Sequence, residues 1–222
     1  MRVNRPRVLA IMAKAPRPGH VKTRLLENYD GQQVLSLYRS FVEDTLVTAT
    51  HLPDAQVAVV CPAGDGEALR EWLPDVHIAE QAGRGLADGL SSTFALFSEQ
   101  GFSQIVALNS DTPHLPADAL RHAFALLCTK DLVIGPTLDG GYYLVGASAA
   151  HPSLFDASAL GTGAARAALV DRARELKLSV GLTEPCYDVD VREDLQRLKT
   201  ELCANPERAP RTAMWLAQSG LD

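Results

Sequence analysis

The stretch Arg7-Val8-Leu9-Ala10-Ile11-Met12-Ala13 decides the fold. It is short, apolar and without polar alternation, the pattern of a strand covered on both faces inside a parallel sheet. The next eleven residues are neither strand nor helix: Lys14-Ala15-Pro16-Arg17-Pro18-Gly19-His20-Val21-Lys22-Thr23-Arg24. Two prolines stiffen them, and Gly19 permits a tight turn. They hold four cations and no counter-charge. Such a loop can cradle phosphate through backbone N–H groups and charged tips. A solvated basic turn is the plainer alternative. The loop is not a Walker A motif, because Val21 stands where that motif needs glycine before Lys22.

Outward from this unit, apolar runs alternate with helical patterns. Gln32–Ala49 reads as a helix with Val34, Leu37, Tyr38, Phe41, Thr45 and Leu46 on one stripe. Strands are expected at Val57–Cys61, Val76–Ala79, Gln104–Leu108, Leu132–Gly135, Tyr142–Val145 and Ser179–Leu182. Helices are expected at Asp65–Leu73, Ala87–Glu99, Pro116–Leu127, Thr162–Leu176 (with Thr162 as its cap), Val191–Cys203 and Pro210–Gln218. Alternation of this kind implies crossovers and a mainly parallel sheet. There is no internal repeat, low-complexity tract or linker, so residues 1–222 are expected to form a single α/β domain.

Ligands of open parallel sheets bind beyond the carboxyl ends of the strands. Besides the basic loop, three unusual segments fall there. In Asn109-Ser110-Asp111-Thr112-Pro113, Asp111 ends an apolar strand. It suits either a hard cation such as Mg²⁺ or a plain Asx turn. In Leu138-Asp139-Gly140-Gly141-Tyr142-Tyr143, Asp-Gly signals a hairpin, and the second glycine leaves room for a substrate. In Tyr187-Asp188-Val189-Asp190, one Asp is expected to cap the next helix, and the other could bind metal.

Composition narrows the class. The chain has 222 residues, 46% hydrophobic and 22% charged, with a net charge of -6. The first 24 residues carry +7 and the remainder -13. A basic patch on an acidic protein suits a small anion, not nucleic acid. Aromatic residues are too few for a base-stacking surface. Cys61, Cys128, Cys186 and Cys203 are widely spaced, and the six histidines show no ligand spacing, so zinc is not expected. No leader-like core and no apolar run of about 18 residues is seen, so a cytoplasmic protein off the membrane is expected.

The sequence resembles the bacterial glycosyltransferase-A-like proteins related to 2-phospholactate guanylyltransferase, a family of unknown function. The resemblance rests on Ala13–Leu25, Ser110–Pro113, Gly135–Leu144, and Asp188–Asp190 with Asp194-Leu195, in order across nearly the whole chain. It implies a Rossmann-like nucleotide-diphospho-sugar transferase fold, with a mixed, mainly parallel sheet flanked by helices. It also implies Mg²⁺ (or Mn²⁺) at Asp111 and Asp190, with the basic loop holding a triphosphate. Relatives carry arginine where Gly89 stands here, after Gln81-Ala82-Gly83-Arg84-Gly85. That departure leaves the recognised base open.

The expected activity is nucleotidyl transfer from a nucleoside triphosphate to a small, anionic, phosphate-bearing acceptor. Lys22, Arg24 and Asp111 are the expected catalytic residues. Lys14, Pro16, Arg17, Gly19, Lys22, Thr23, Arg24, Gln81, Gly83 and Gly85 would hold the nucleotide, and Asp139, Gly140, Gly141 and Tyr142 the acceptor. The alternatives are a glycosyltransferase using a nucleotide-sugar, against which a lone Asp at 111 speaks, and a nucleotide-binding protein without turnover. No nucleic acid or membrane partner is expected, and a homodimer is left open.

Overall fold

The computed structural model describes residues 6–52, 54–151, 153–155 and 163–220. Seven strands form one sheet: β1 (Arg7–Met12), β2 (Ala55–Cys61), β3 (His77–Glu80), β4 (Gln104–Asn109), β5 (Leu132–Pro136), β6 (Tyr142–Ala147) and β7 (Val180–Leu182). Their order is β3-β2-β1-β4-β6-β5-β7. β6 runs antiparallel to both β4 and β5, and every other pairing is parallel. The five-residue connection 137–141 explains the exception. It is long enough for a hairpin, whereas a parallel neighbour needs a crossover of a dozen residues or more.

Those crossovers are helical. They are α1 (Gly31–Ala49), α2 (Gly66–Trp72), α3 (Gly85–Glu99), α4 (Ala117–Leu126) and α5 (Ala165–Glu175), followed by α6 (Arg192–Ala204) and α7 (Pro210–Gln218). α1 starts one residue earlier than the apolar stripe suggests, because Asp30 and Gln33 form a reciprocal cap. The expected Thr162 cap lies outside the described residues. None of the described helices is long and apolar enough to cross a membrane.

β1 is buried on both faces, as its composition predicts. Leu9 and Ile11 join a core with Tyr38, Val42, Leu69 and Phe124. Val8 and Ala10 face the other way, onto Leu90, Phe94, Phe97 and Leu169. The far stripe of α1 (Val34, Leu37, Phe41) meets Leu195, Leu198 and Leu216 of α6 and α7 in a third cluster. After β1 the chain moves through β2 to β3 on one side, then returns to β4 on the other. The switch point, where ligands settle in such sheets, therefore lies between β1 and β4.

Candidate active site

The loop after β1 and the loop after β4 meet at that switch point. Lys22 takes the left-handed conformation, φ 46°, which costs a non-glycine residue about 1–2 kcal/mol. The strain aims the side chain inward. Its Nζ lies 2.7 Å from Asp111 Oδ1, 2.8 Å from Asp190 Oδ1 and 2.7 Å from the Val189 carbonyl. The Phe41 ring lies beneath it. The Lys22 side chain is 4% exposed, against 34% and 41% for the two carboxylates. Burial alone would lower the pKa of the ammonium. Asp111 and Asp190 outweigh burial and hold it above the ordinary value.

Asp111 is not the turn residue. Asn109 Oδ1 accepts from the Asp111 N–H (3.2 Å) and the Thr112 hydroxyl (3.1 Å), and so makes the Asx-type turn itself. This leaves the Asp111 carboxylate free for Lys22. Asn109 Nδ2 also donates to Asp188 (2.9 Å). Burial pushes the Asp188 carboxyl up to about 7, against the Asn109 hydrogen bond and with the help of the Asp111 charge. Neither Asp188 nor Asp190 caps α6, contrary to expectation. Asp194 reaches back from the first turn to the N–H groups of Asp190 and Val191.

The other loop cations divide. Arg17 is spent on Asp65 (2.5 Å) and the Gly64 carbonyl (3.1 Å), and Asp65 also accepts from the buried Ala15 N–H (2.9 Å). Asp65 thus ties the loop to the start of α2. Tyr38 ties its first residue, accepting from Lys14 N and donating to Lys14 O. Lys14 and Arg24 stand on the wall of a cavity of ≈ 830 Å³, joined by His20 and Arg84, with Arg24 Nη1 3.5 Å from Asp190 Oδ2. Lys22, Thr23, Gln81, Gly83, Gly85, Asp111 and Asp190 also border it, whereas Pro16, Arg17 and Gly19 do not. Those three shape and anchor the loop instead of facing the cavity.

Where relatives carry arginine, Gly89 lies under the end of the Gln81 side chain. A Cβ on Gly89 would come 2.5 Å from Gln81 Oε1, so the Gln81 amide packs over this glycine. Arg84 supplies a cation to the same wall. The turn at Gly83 and Gly85 folds back onto α3. Ala82 N donates to the Ser92 hydroxyl and Arg84 N to Asp88, so these two backbone donors are spent within the protein.

A second cavity, ≈ 220 Å³, shares Met12 and Leu86 with the first. Of the residues expected to hold an acceptor, Asp139, Gly141 and Tyr142 line it, together with Asn109, Thr137 and Asp188. Gly140 does not line it. Its φ of +93° and the Gly163 carbonyl, 2.2 Å from where a Cβ would sit, make it a packing glycine. The Thr137 hydroxyl and the Gly141 N–H hold the Asp139 carboxyl below its usual range. The lining contains two carboxylates and, among the described residues, no Lys, Arg or His. The expected phosphate-bearing acceptor therefore finds no cation here.

Lys22 holds one oxygen of Asp111 and one of Asp190, and at 34% and 41% exposure each carboxylate keeps oxygen surface for a second cation. Mg²⁺ commonly takes one or two carboxylates from protein and the rest from phosphate and water, so the pair fits it. Among the described residues no larger cluster of His, Cys, Asp or Glu converges to hold a metal.

This sheet order, with its crevice at the switch point, defines a Rossmann-like protein with the nucleotide-diphospho-sugar transferase (GT-A-like) fold. A candidate nucleotide-diphospho-sugar transferase from Desulfovibrio desulfuricans G20 is 30% identical, with 96% of this chain and 94% of that one covered and a TM-score of 0.88. Residues 45–162 match the bacterial family described as "Uncharacterized protein conserved in bacteria (DUF2064)", and the chain belongs to that family. More distant structures share the fold. The 4-diphosphocytidyl-2C-methyl-D-erythritol synthase of Anaerococcus prevotii DSM 20548 is 13% identical, with 89% and 99% of the chains covered and a TM-score of 0.58. A CMP:2-keto-3-deoxy-manno-octonic acid synthetase complexed with CTP is 9% identical, with 90% and 99% covered and a TM-score of 0.55. No curated protein sequence matches the chain.

Proposed function

We propose that the chain is a transferase that binds a nucleotide in the larger cavity and a small-molecule acceptor in the smaller one, with a divalent cation at Asp111 and Asp190. The observation that carries this reading is the convergence of Asp111 and Asp190 around Lys22 at the larger cavity, beside a second cavity that shares Met12 and Leu86 with it. We favour nucleotidyl transfer. An acceptor oxygen forms a bond to the α-phosphorus of a nucleoside triphosphate. The bond from that phosphorus to the bridging oxygen breaks, and pyrophosphate leaves with the electron pair. A proton on the acceptor oxygen passes to the Asp188 carboxylate, which borders the second cavity.

Bound Mg²⁺ would supply charge neutralisation across the phosphates. The chain's own part is positioning and fixed charge, the usual means of phosphoryl-type catalysis. Lys14, Arg24 and Arg84, on the cavity wall, would face the phosphates, and the Gln81 amide on the same wall would meet the base. Two fold relatives are a cytidylyl-product synthase and a CMP-sugar synthetase bound to CTP, which supports this chemistry on this fold. One observation favours glycosyl transfer from a nucleotide-sugar as the second reading. With Arg17 and Lys22 spent internally, the cationic wall is closer to what a diphosphate needs.

Thermal shift with Mg²⁺ and each nucleoside triphosphate or nucleotide-sugar, followed by a pyrophosphate-release assay, separates the two. A ligand at 100 times its Kd adds about 2.7 kcal/mol. Asp111→Asn should fold normally, because Asn109 makes the turn, and should lose Mg²⁺-dependent nucleotide stabilisation. Full Mg²⁺-dependent stabilisation in that variant would remove Asp111 from the site.

A further inference from the structure

The second cavity has a chemistry of its own. Its wall is apolar where Met12, Leu90, Ala107 and Val145 meet, and polar where Asn109, Thr137, Asp139 and Asp188 enter. Tyr142 lines it too, and its hydroxyl is buried with no hydrogen-bond partner among the described residues. The cavity is about a quarter the size of the first, so it admits a small molecule and not a second nucleotide.

Its charge is one-sided. Two cations act on its carboxylates from outside the lining, Lys22 on Asp188 and Arg166 on Asp139. Lys22 is committed to Asp111 and Asp190. Arg166 stands in the first turn of α5, where its N–H donates to the Gly140 carbonyl. Sites that take phosphate or carboxylate use Arg or Lys, or convergent N–H groups. Bringing a second anion against the ionised Asp139 would meet like charge in a partly desolvated space, where repulsion is least screened.

We propose that this cavity selects a small, non-anionic alcohol, uncharged or cationic, whose apolar body lies on Met12, Leu90 and Val145 and whose hydroxyls meet Asn109, Asp139 and Tyr142. Phosphorylated and carboxylated acceptors are excluded. The proposal rests on reading the smaller cavity as the acceptor site, and it holds for nucleotidyl and glycosyl transfer alike.

The test uses matched pairs: glycerol and glycerol 3-phosphate, choline and phosphocholine, glucose and glucose 6-phosphate. Ligand-observed NMR on the full chain, with Mg²⁺ and the nucleotide that gives the largest thermal shift, reports binding of each. The unphosphorylated members should bind and their phosphorylated partners should not. Asp139→Asn keeps a short polar turn residue and removes one charge. It should raise binding of the phosphorylated members about fivefold, the size of one screened like-charge repulsion. A melting curve checks that it folds. If phosphorylated members bind wild type as well as their partners do, the proposal fails. It also fails if no unphosphorylated member binds. Pyrophosphate release in the same samples tests the reaction separately, so alcohols that bind without release sink nucleotidyl transfer and leave the cavity's selectivity standing.

Discussion

Replacing Lys22 with methionine, Lys22→Met, keeps the length of the side chain and deletes the cation between Asp111 and Asp190. Each of the two ion pairs, at 2.7 and 2.8 Å, has a gross Coulomb energy of about 6 kcal/mol at an effective dielectric near 20. Burying the ammonium takes back several kcal/mol of that gross sum. The carboxylates are 34% and 41% exposed, so water relieves part of their mutual repulsion once Lys22 is gone. The net loss should be about 2–4 kcal/mol. For a chain of this length that is a fall of roughly 4–16 °C in Tm. Millimolar Mg²⁺ should then restore more stability to the variant than to wild type, because the same oxygens become available to the ion. Differential scanning calorimetry with and without Mg²⁺ measures both effects. A variant as stable as wild type in chelator would show that the triangle of charges contributes nothing. A destabilised variant indifferent to Mg²⁺ would show that the two carboxylates are not a metal seat.

Two further outcomes concern the loop anchor Asp65 and the buried His114. Asp65→Ala strands the buried Ala15 N–H and releases Arg17, at a cost of about 1–3 kcal/mol. Nucleotide affinity should fall about tenfold, because a loosened loop must be ordered on binding; unchanged affinity by titration calorimetry would show that the loop does not depend on this anchor. The second concerns acid stability. Burial lowers His114 from 6.5 to about 4, so the unfolded chain takes up a proton before the folded one does. Stability from the neutral ring is complete above pH 6.5 and is lost as pH falls to about 4, by about 3 kcal/mol. His114→Gln should show a shallower fall in Tm across that window, and parallel Tm–pH curves would refute the assignment.

Much of the architecture was legible locally. The unbroken run Val8–Met12 announces a doubly covered strand, and the order of apolar runs and helical stripes announces crossovers, because periodicity is a property of neighbouring residues. Asp-Gly at 139–140 announced the hairpin, but not that its second strand inserts between β4 and β5. Strand order is decided by which faces bury each other, and no local pattern carries that. The gathering of Lys22, Asp111 and Asp190 followed from strand ends sharing one rim.

What each cation does there belonged to the tertiary structure alone. In sequence, Arg17 and Lys22 are two charges among four without partners. In space, Arg17 faces Asp65, and Lys22 faces Asp111 and Asp190 across separations of 48, 89 and 168 residues. Nothing local in the sequence shows that the Gln81 side chain lies over Gly89. The expected phosphate-bearing acceptor meets a cavity whose charged lining residues are two carboxylates. Sequence determined which residues could bear charge and where the chain could turn. Only the fold decided which charges neutralise one another and which face an open cavity, because Coulomb energy depends on distance through space and on burial, and neither is written in the order of the residues.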